Sequence, residues 1–133
     1  MNRLAEHHVL QFCHGYYGPF LDCARQYSSL FSGFGYKVTT VFLTGVADPS
    51  VAAGCMSDKV LFMELRSKDI RGLKIDAILR LRKIVASHSF SFCIAHRFKP
   101  IYIALLGTRL PVIGVHHAFG VYARRCRKLS ASI

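Results

Sequence analysis

The feature that most constrains this chain is a regular alternation between short apolar segments and segments with helical periodicity. Five short segments are apolar or rich in β-branched residues, as buried strands are. They cover residues 9–13, 37–43, 59–65, 89–95 and 110–115. Apolar residues recur at helical spacing in residues 20–34 and in residues 72–87, where the predicted apolar stripe consists of Ile75, Ile78, Leu81 and Val85 and is widened by Leu79 and Ile84. Residues 96–100 are expected to form a turn, and residues 101–106 a further short helix. Residues 44–57 contain glycine, proline and aspartate, which predicts a loop with room for a short helix.

Proline and glycine mark the boundaries of these segments. Pro19 suits the first turn of a helix, where its missing N–H is not needed, and Gly33 and Gly35 are stop signals for that helix. Continuously apolar strands separated by helices imply a parallel sheet that is covered on both faces. We therefore predict an α/β fold, a Rossmann-like open parallel sheet of about five strands with helices on both faces. No repeat or linker divides the chain, so we expect one domain over residues 1–133.

Charge is distributed unevenly along the sequence. The chain has 18 Lys and Arg against 7 Asp and Glu, a formal net charge of +11 at pH 7. Residues 1–76 carry 8 basic residues and all 7 acidic ones, whereas residues 77–133 carry 10 basic residues and no acidic one. Such a segment attracts an anionic partner, namely phosphate groups, a membrane face or nucleic acid. A compatible interpretation is that the acidic residues lie in another part of a larger protein.

The sequence contains no motif for several kinds of metal or catalytic site, and no export signal or membrane-spanning segment. The five cysteines form no C-x-x-C pair and have no zinc spacing, so we predict reduced thiols and no metal site. Neither a G-x-S-x-G motif, a P-loop nor an H-E-x-x-H motif occurs. No apolar run approaches the roughly 20 residues of a membrane-spanning helix, and residues 1–8 have no signal-peptide core. We therefore expect a cytoplasmic protein.

Three of the predicted strands end in histidine-bearing turns. The first strand is followed by His14 and the loop 15–18, the fourth by residues 96–99, and the fifth by residues 116–120. In an open parallel sheet such turns share the carboxyl edge, where ligands bind near the reversal of strand order. His96 could instead be a core or helix-capping residue, and only one of His116 and His117 is expected to face a ligand, because neighbouring strand residues point to opposite sides.

Four segments, in the same order along the chain, resemble the N-terminal half of GT-B glycosyltransferases of the family 4 type. The first is the apolar strand with its Gly15–Gly18 loop, and the second is Gly35-Tyr36-Lys37-Val38-Thr39, like the family's G-H-x-V-x. The third is Ile94-Ala95-His96, which is similar to H-A-H. The fourth is the segment from Leu110-Pro111-Val112-Ile113 to His117, similar to P-V-V-x-T-V-H-G.

The resemblance implies the acceptor-side domain of a retaining glycosyltransferase. Such an enzyme transfers a sugar from a nucleotide sugar, its co-substrate, without an essential metal. His117 matches the family histidine near the donor and is the expected catalytic residue. The expected substrate- and donor-binding residues are Gly15, Tyr16, Gly18, His96, Arg97, Lys99 and His116. Arg97 and Lys99 are expected to hold anions of the acceptor.

The sequence also departs from the family pattern. Ile94 replaces the first histidine of H-A-H, Tyr16 and Tyr17 stand where adjacent glycines are usual, and no second, donor-binding domain follows residue 120. We therefore expect the chain alone to be inactive. By analogy, the acceptor is an anionic glycan or glycolipid such as lipopolysaccharide core, met at the inner face of the membrane. The alternatives are a non-catalytic α/β module that binds phosphate or nucleic acid, or a truncated, inactive remnant.

Overall fold

The computed structural model describes residues 7–70 and 74–116, and they form a single layer of parallel strands between helices. The strands are β1 (His8–Cys13), β2 (Lys37–Thr44), β3 (Lys59–Leu65), β4 (Phe92–His96) and β5 (Val112–Val115). The helices are α1 (Pro19–Gly33), α2 (Pro49–Gly54), α3 (Ile75–Ala86) and α4 (Phe98–Gly107), and a 3-10 helix covers Ser67–Ile70. The alternation predicted from sequence is therefore confirmed.

The five strands are all parallel and lie in the order β3-β2-β1-β4-β5. This is the Rossmann-like open sheet that the sequence predicts. The chain runs outward from β1 to β3, and then returns to continue on the other side of β1 with β4 and β5. The order therefore reverses between β1 and β4, and the loops after these two strands flank the crevice at that point.

Each face of the sheet has its own apolar core. On one face, Leu10, Phe12, Val41, Leu43 and Ala95 pack against α3 and α4, with Leu81 and Ile103 fully buried between them. On the other face, Cys13 and Phe42 pack against Ala24 of α1 and Val51 of α2. Side chains alternate between the two faces along a strand, so β1 and β2 are buried on both sides. Both strands are mainly apolar, and their buried polar residues include Gln11, Thr39 and Thr40.

Two boundaries differ from the sequence prediction at the end of β4. Residues 96–100 were expected to form a turn, but His96 is the last residue of β4 and α4 already begins at Phe98. The helix includes Pro100 because a proline in the first turn needs no backbone N–H.

The predicted apolar face of α3 is also partly wrong: Ala77 and Leu81 are buried, whereas Ile75 and Leu79 are more than half exposed.

Candidate functional site

Strands β1, β4 and β5 are neighbours, so the turns that follow them share the carboxyl edge of the sheet. His14 follows β1, Arg97 follows β4, and the exposed His116 follows β5. The Arg97 backbone N–H donates to the Val115 carbonyl over 2.7 Å and so ties the β4 turn to the end of β5. His117, the expected catalytic residue, lies outside the described residues, as does the rest of the predicted turn after His116, residues 118–120.

A crevice lies at the point where the strand order reverses. It has a volume of about 180 Å³ and is lined by His14, Arg97, Phe98 and Lys99. Helix α4 begins at its wall, where the amides of Phe98 and Lys99 have no acceptor within the helix. Two cationic side chains and a helix N-terminus therefore surround a space suited to a phosphate group. Of the expected binding residues, Arg97 and Lys99 meet here.

Arg97, which lines this crevice, has an unusual backbone conformation. Its φ of 73° and ψ of 167° lie in a region that is almost restricted to glycine. Its guanidinium carbon lies 4.5 Å from the centroid of the Phe20 ring in the first turn of α1, a cation–π contact. The contact anchors the charge between the start of α1 and the end of β4. A strained, non-glycine residue at a crevice is a recurrent feature of functional sites.

His14 is a neutral group in this cationic crevice. The pKa of His14 is lowered from 6.5 to about 4. Partial burial is the largest cause, and the positive charges of Arg97 and Lys99 contribute to the same shift. At neutral pH the imidazole therefore carries one N–H donor and adds no charge of its own. The sequence indicated His14 through its place after β1, but the resemblance did not single it out.

The remaining residues of the first loop face away from the crevice or shape the backbone. Gly15 is buried, and a Cβ there would approach Thr44 Oγ1 to 3.0 Å. Gly18 caps α1 with a φ of 53° and so permits the sharp entry into the helix. The Tyr16 ring lies over Gly45, and its hydroxyl donates to the Val46 carbonyl over 2.8 Å. Tyr16 thus lines the neighbouring pocket above β2 and β3 rather than the crevice.

His96 is 3% exposed and is part of a buried polar network. Its Nε2 lies 2.7 Å from Gln11 Oε1, and its ring makes an edge contact with Tyr27 of α1. Gln11 Nε2 in turn donates to Thr40 Oγ1 over 2.9 Å and to Ser28 Oγ over 3.0 Å. The side chain is not among those that line the crevice. Of the two roles open from sequence, the geometry favours a core histidine that links β4, β1, β2 and α1.

The cysteines of the described residues are free and mostly buried. Burial raises the pKa of Cys55 to about 11 and that of Cys93 to about 12, and the pKa of Cys13 is raised for the same first reason. These thiols are therefore protonated and unreactive at neutral pH. Within residues 7–70 and 74–116 there is no cluster of three possible metal ligands, and no helix there is long and apolar enough to cross a membrane.

No protein-family model and no curated protein matches this sequence.

Proposed function

We propose that this chain binds the phosphate end of a sugar-bearing ligand at the β1–β4 crevice, as the acceptor-side domain of a retaining glycosyltransferase. The observation that carries the proposal is the set of groups around the crevice. Arg97, Lys99 and Phe98, the first residue of α4, line it, and His14 supplies a neutral donor. No carboxylate is among the lining residues, so nothing opposes the charge of an anion there.

The order of the strands supports the same assignment. Rossmann-like sheets bind nucleotides and sugar phosphates beside the reversal of strand order, and the crevice lies at that place. The motifs that resemble family 4 glycosyltransferases include Gly15 and Gly18 in the loop after β1 and the His96 turn after β4. They stand on the two strands that flank the reversal, which is where an enzyme of this kind receives a donor.

In this proposal the crevice neutralises charge rather than moving protons. Arg97 and Lys99 bind the leaving diphosphate or an acceptor phosphate, and His14 donates a hydrogen bond to a phosphate oxygen. The proposal also includes partners for the chain. These are a nucleotide-sugar donor, an anionic glycan or glycolipid acceptor such as lipopolysaccharide core, a second domain that binds the donor, and the inner face of the membrane. His116 follows β5 at this edge, and His117 keeps in the proposal the role that the resemblance implies, a catalytic residue near the donor.

Titration of the isotope-labelled chain by nuclear magnetic resonance tests the proposal. The probes are UDP-glucose, GDP-mannose, inorganic pyrophosphate and a short DNA duplex. We expect at least one nucleotide sugar to shift the amides of His14, Arg97 and Lys99 and to bind about tenfold more tightly than pyrophosphate. Absence of a shift at the crevice with every phosphate-bearing probe contradicts the proposal.

The crevice also admits a second function, a non-catalytic module that binds anions. The observation that favours it is that no described residue at the crevice is suited to acid–base chemistry, because His14 has a pKa of about 4 and the other polar groups are cations. This module would bind pyrophosphate as tightly as any nucleotide sugar. Equal binding of all probes, including DNA, in the same titration selects it over the glycosyltransferase domain.

A further inference from the structure

A second pocket lies beside the crevice, at the carboxyl ends of β2 and β3. It has a volume of about 340 Å³. Its walls come from the loop after β1 and from the carboxyl ends of β2 and β3, and they include Tyr16, Tyr17, Gly45, Val46, Glu64 and Arg66. We propose that this pocket binds a neutral, hydroxylated ring, such as the pyranose of a glycan or an inositol, stacked on Tyr17 and hydrogen-bonded to Glu64.

The aromatic wall of the pocket is fixed and its outer face is open. Tyr16 packs edge-on against Phe42 and Phe62, and its hydroxyl is tied to the Val46 carbonyl. Tyr17 stacks at a tilt of 31° on Tyr16, with ring centroids 5.6 Å apart, and remains 68% exposed. An exposed aromatic ring supported by a rigid neighbour offers a flat apolar surface at little entropic cost. The C–H face of a sugar ring fits such a surface.

The carboxylate of the pocket stands on a distorted strand. Between Phe42↔Phe62 and Thr44↔Leu65 the pairing of β2 with β3 shifts, so β3 carries one extra residue. Within that bulge Glu64 adopts a φ of 56°, a left-handed conformation that is unfavourable for glutamate. Bulges next to binding sites re-aim a side chain, and local strain of this kind is retained where it serves a function.

The Glu64 carboxylate is fixed by a backbone hydrogen bond and can still accept further hydrogen bonds. Its Oε2 accepts the Ala47 backbone N–H over 2.7 Å, which fixes the group against the β2 loop. A carboxylate has about four lone-pair positions, so further positions can accept hydrogen bonds from ligand hydroxyls. A carboxylate that accepts hydroxyl protons beside an aromatic platform is a pairing suited to polyols.

The charged residues of the pocket give no net preference for an ion of either sign. Glu64 and Arg66 both line it, and their opposite charges cancel. The adjoining crevice has no acidic lining residue. A neutral ring in this pocket and an anion in the crevice therefore take up separate parts of the edge, joined by the loop of residues 14–18. The inference goes beyond the proposed function, since it holds whether or not the crevice binds a nucleotide sugar.

The test uses probes without phosphate, so its failure is distinct from failure at the crevice. The intact chain is titrated with methyl α-glucopyranoside, methyl β-galactopyranoside, methyl α-mannopyranoside and myo-inositol, and amide shifts are recorded. We expect at least one probe to bind with a millimolar dissociation constant and to shift the amides of Tyr17, Gly45 and Glu64. Binding should weaken about fivefold or more in Tyr17→Ala and in Glu64→Gln, because each loses one of the two recognition elements.

Matched variants and probes decide the outcome. Phe34→Ala removes an aromatic ring of similar exposure, 70%, at the far end of α1, so this variant should leave binding unchanged. The Tyr17 and Glu64 variants are first shown to be folded by their amide spectra. The proposal is overturned if none of the four probes shifts the pocket at millimolar concentration, if cyclohexanol binds as well as they do, or if choline binds more tightly.

Discussion

The guanidinium carbon of Arg97 lies 4.5 Å above the ring of Phe20, and this contact joins the turn after β4 to the first turn of α1. The two elements lie beside the reversal of strand order, and Arg97 is also one of the residues that line the crevice. Arg97 adopts its glycine-like backbone conformation at this same position. Backbone strain and a positive charge therefore occur at the same residue of the crevice, Arg97.

Replacing Arg97 tests whether the strain is real. Arg97→Gly and Arg97→Ala both remove the cation–π contact, but only glycine adopts a φ of 73° and a ψ of 167° without backbone strain. We expect the glycine variant to have a free energy of unfolding about 1 kcal/mol higher than the alanine variant, the reverse of the usual order. Urea unfolding of both variants measures the difference. An alanine variant at least as stable as the glycine variant contradicts the strained conformation.

The low pKa of His14 makes stability depend on pH. The folded state holds this imidazole neutral down to about pH 4, whereas the unfolded chain binds a proton near pH 6.5. Between these values the unfolded state binds more protons, so the contribution of His14 is complete above about pH 6.5 and is lost as the pH falls towards 4. We expect His14→Gln to flatten the stability curve in this window. Urea midpoints of both chains at several pH values provide the measurement.

Anion binding should reduce the shift in the pKa of His14. A phosphate in the crevice offsets the charges of Arg97 and Lys99, so the pKa of His14 rises when pyrophosphate is bound. The imidazole resonances of His14, followed against pH with and without pyrophosphate, report the change. An unchanged titration curve under saturating pyrophosphate would place the anion elsewhere.

Gln11 is the centre of the buried network. Gln11→Leu removes the acceptor 2.7 Å from His96 Nε2 and the donor to Thr40 and Ser28, while it keeps the side chain's approximate volume. We expect a loss of about 2–4 kcal/mol in the free energy of unfolding, because buried polar groups lose their partners. Gln26→Leu on the exposed side of α1 is the control and should change stability by less than about 0.5 kcal/mol. Equal effects of the two substitutions would exclude the network.

Two glycines should respond to alanine in opposite directions. At Gly45 the φ is 102° and a Cβ would lie 2.5 Å from the Tyr16 ring, so Gly45→Ala should cost about 2 kcal/mol or more and displace Tyr16. At Gly33, the last residue of α1, nothing lies within 4 Å of the added Cβ. Gly33→Ala should therefore stabilise the protein by about 0.5 kcal/mol. Thermal or urea unfolding distinguishes the two, and a stable Gly45→Ala would contradict the Tyr16 packing.

Local pattern was sufficient to predict the elements of this fold. The apolar runs located all five strands, and the helical spacing together with Pro19 located the start of α1 to within one residue. The start of α4 was missed because Pro100 resembles a turn when read alone, although a first-turn proline is compatible with a helix. Ile75 and Leu79 were expected in the core because their spacing is helical, but the face that α3 buries is set by its packing against α4.

The site was less predictable because it depends on contacts between distant segments. Arg97 and Lys99 could be placed at the carboxyl edge from the strand order, but the partnership of Arg97 with Phe20 could not. The sequence left His96 open between a ligand contact and a core role, since its partner Gln11 is 85 residues away. The bulge that turns Glu64 has no sequence signal, because glutamate is not a residue that favours a left-handed conformation.

The most direct test of the central claim compares two charge-matched double variants for their binding of inorganic pyrophosphate. Arg97→Gln with Lys99→Gln removes both cations of the crevice, whereas Arg82→Gln with Lys83→Gln removes two exposed cations from α3. Measured by calorimetry at a fixed salt concentration, the crevice variant should bind pyrophosphate at least about tenfold more weakly than the unaltered chain, and the α3 variant should bind within about twofold of it. Equal losses in both double variants would show that the anion responds only to net charge, and would contradict a phosphate site between β1 and β4.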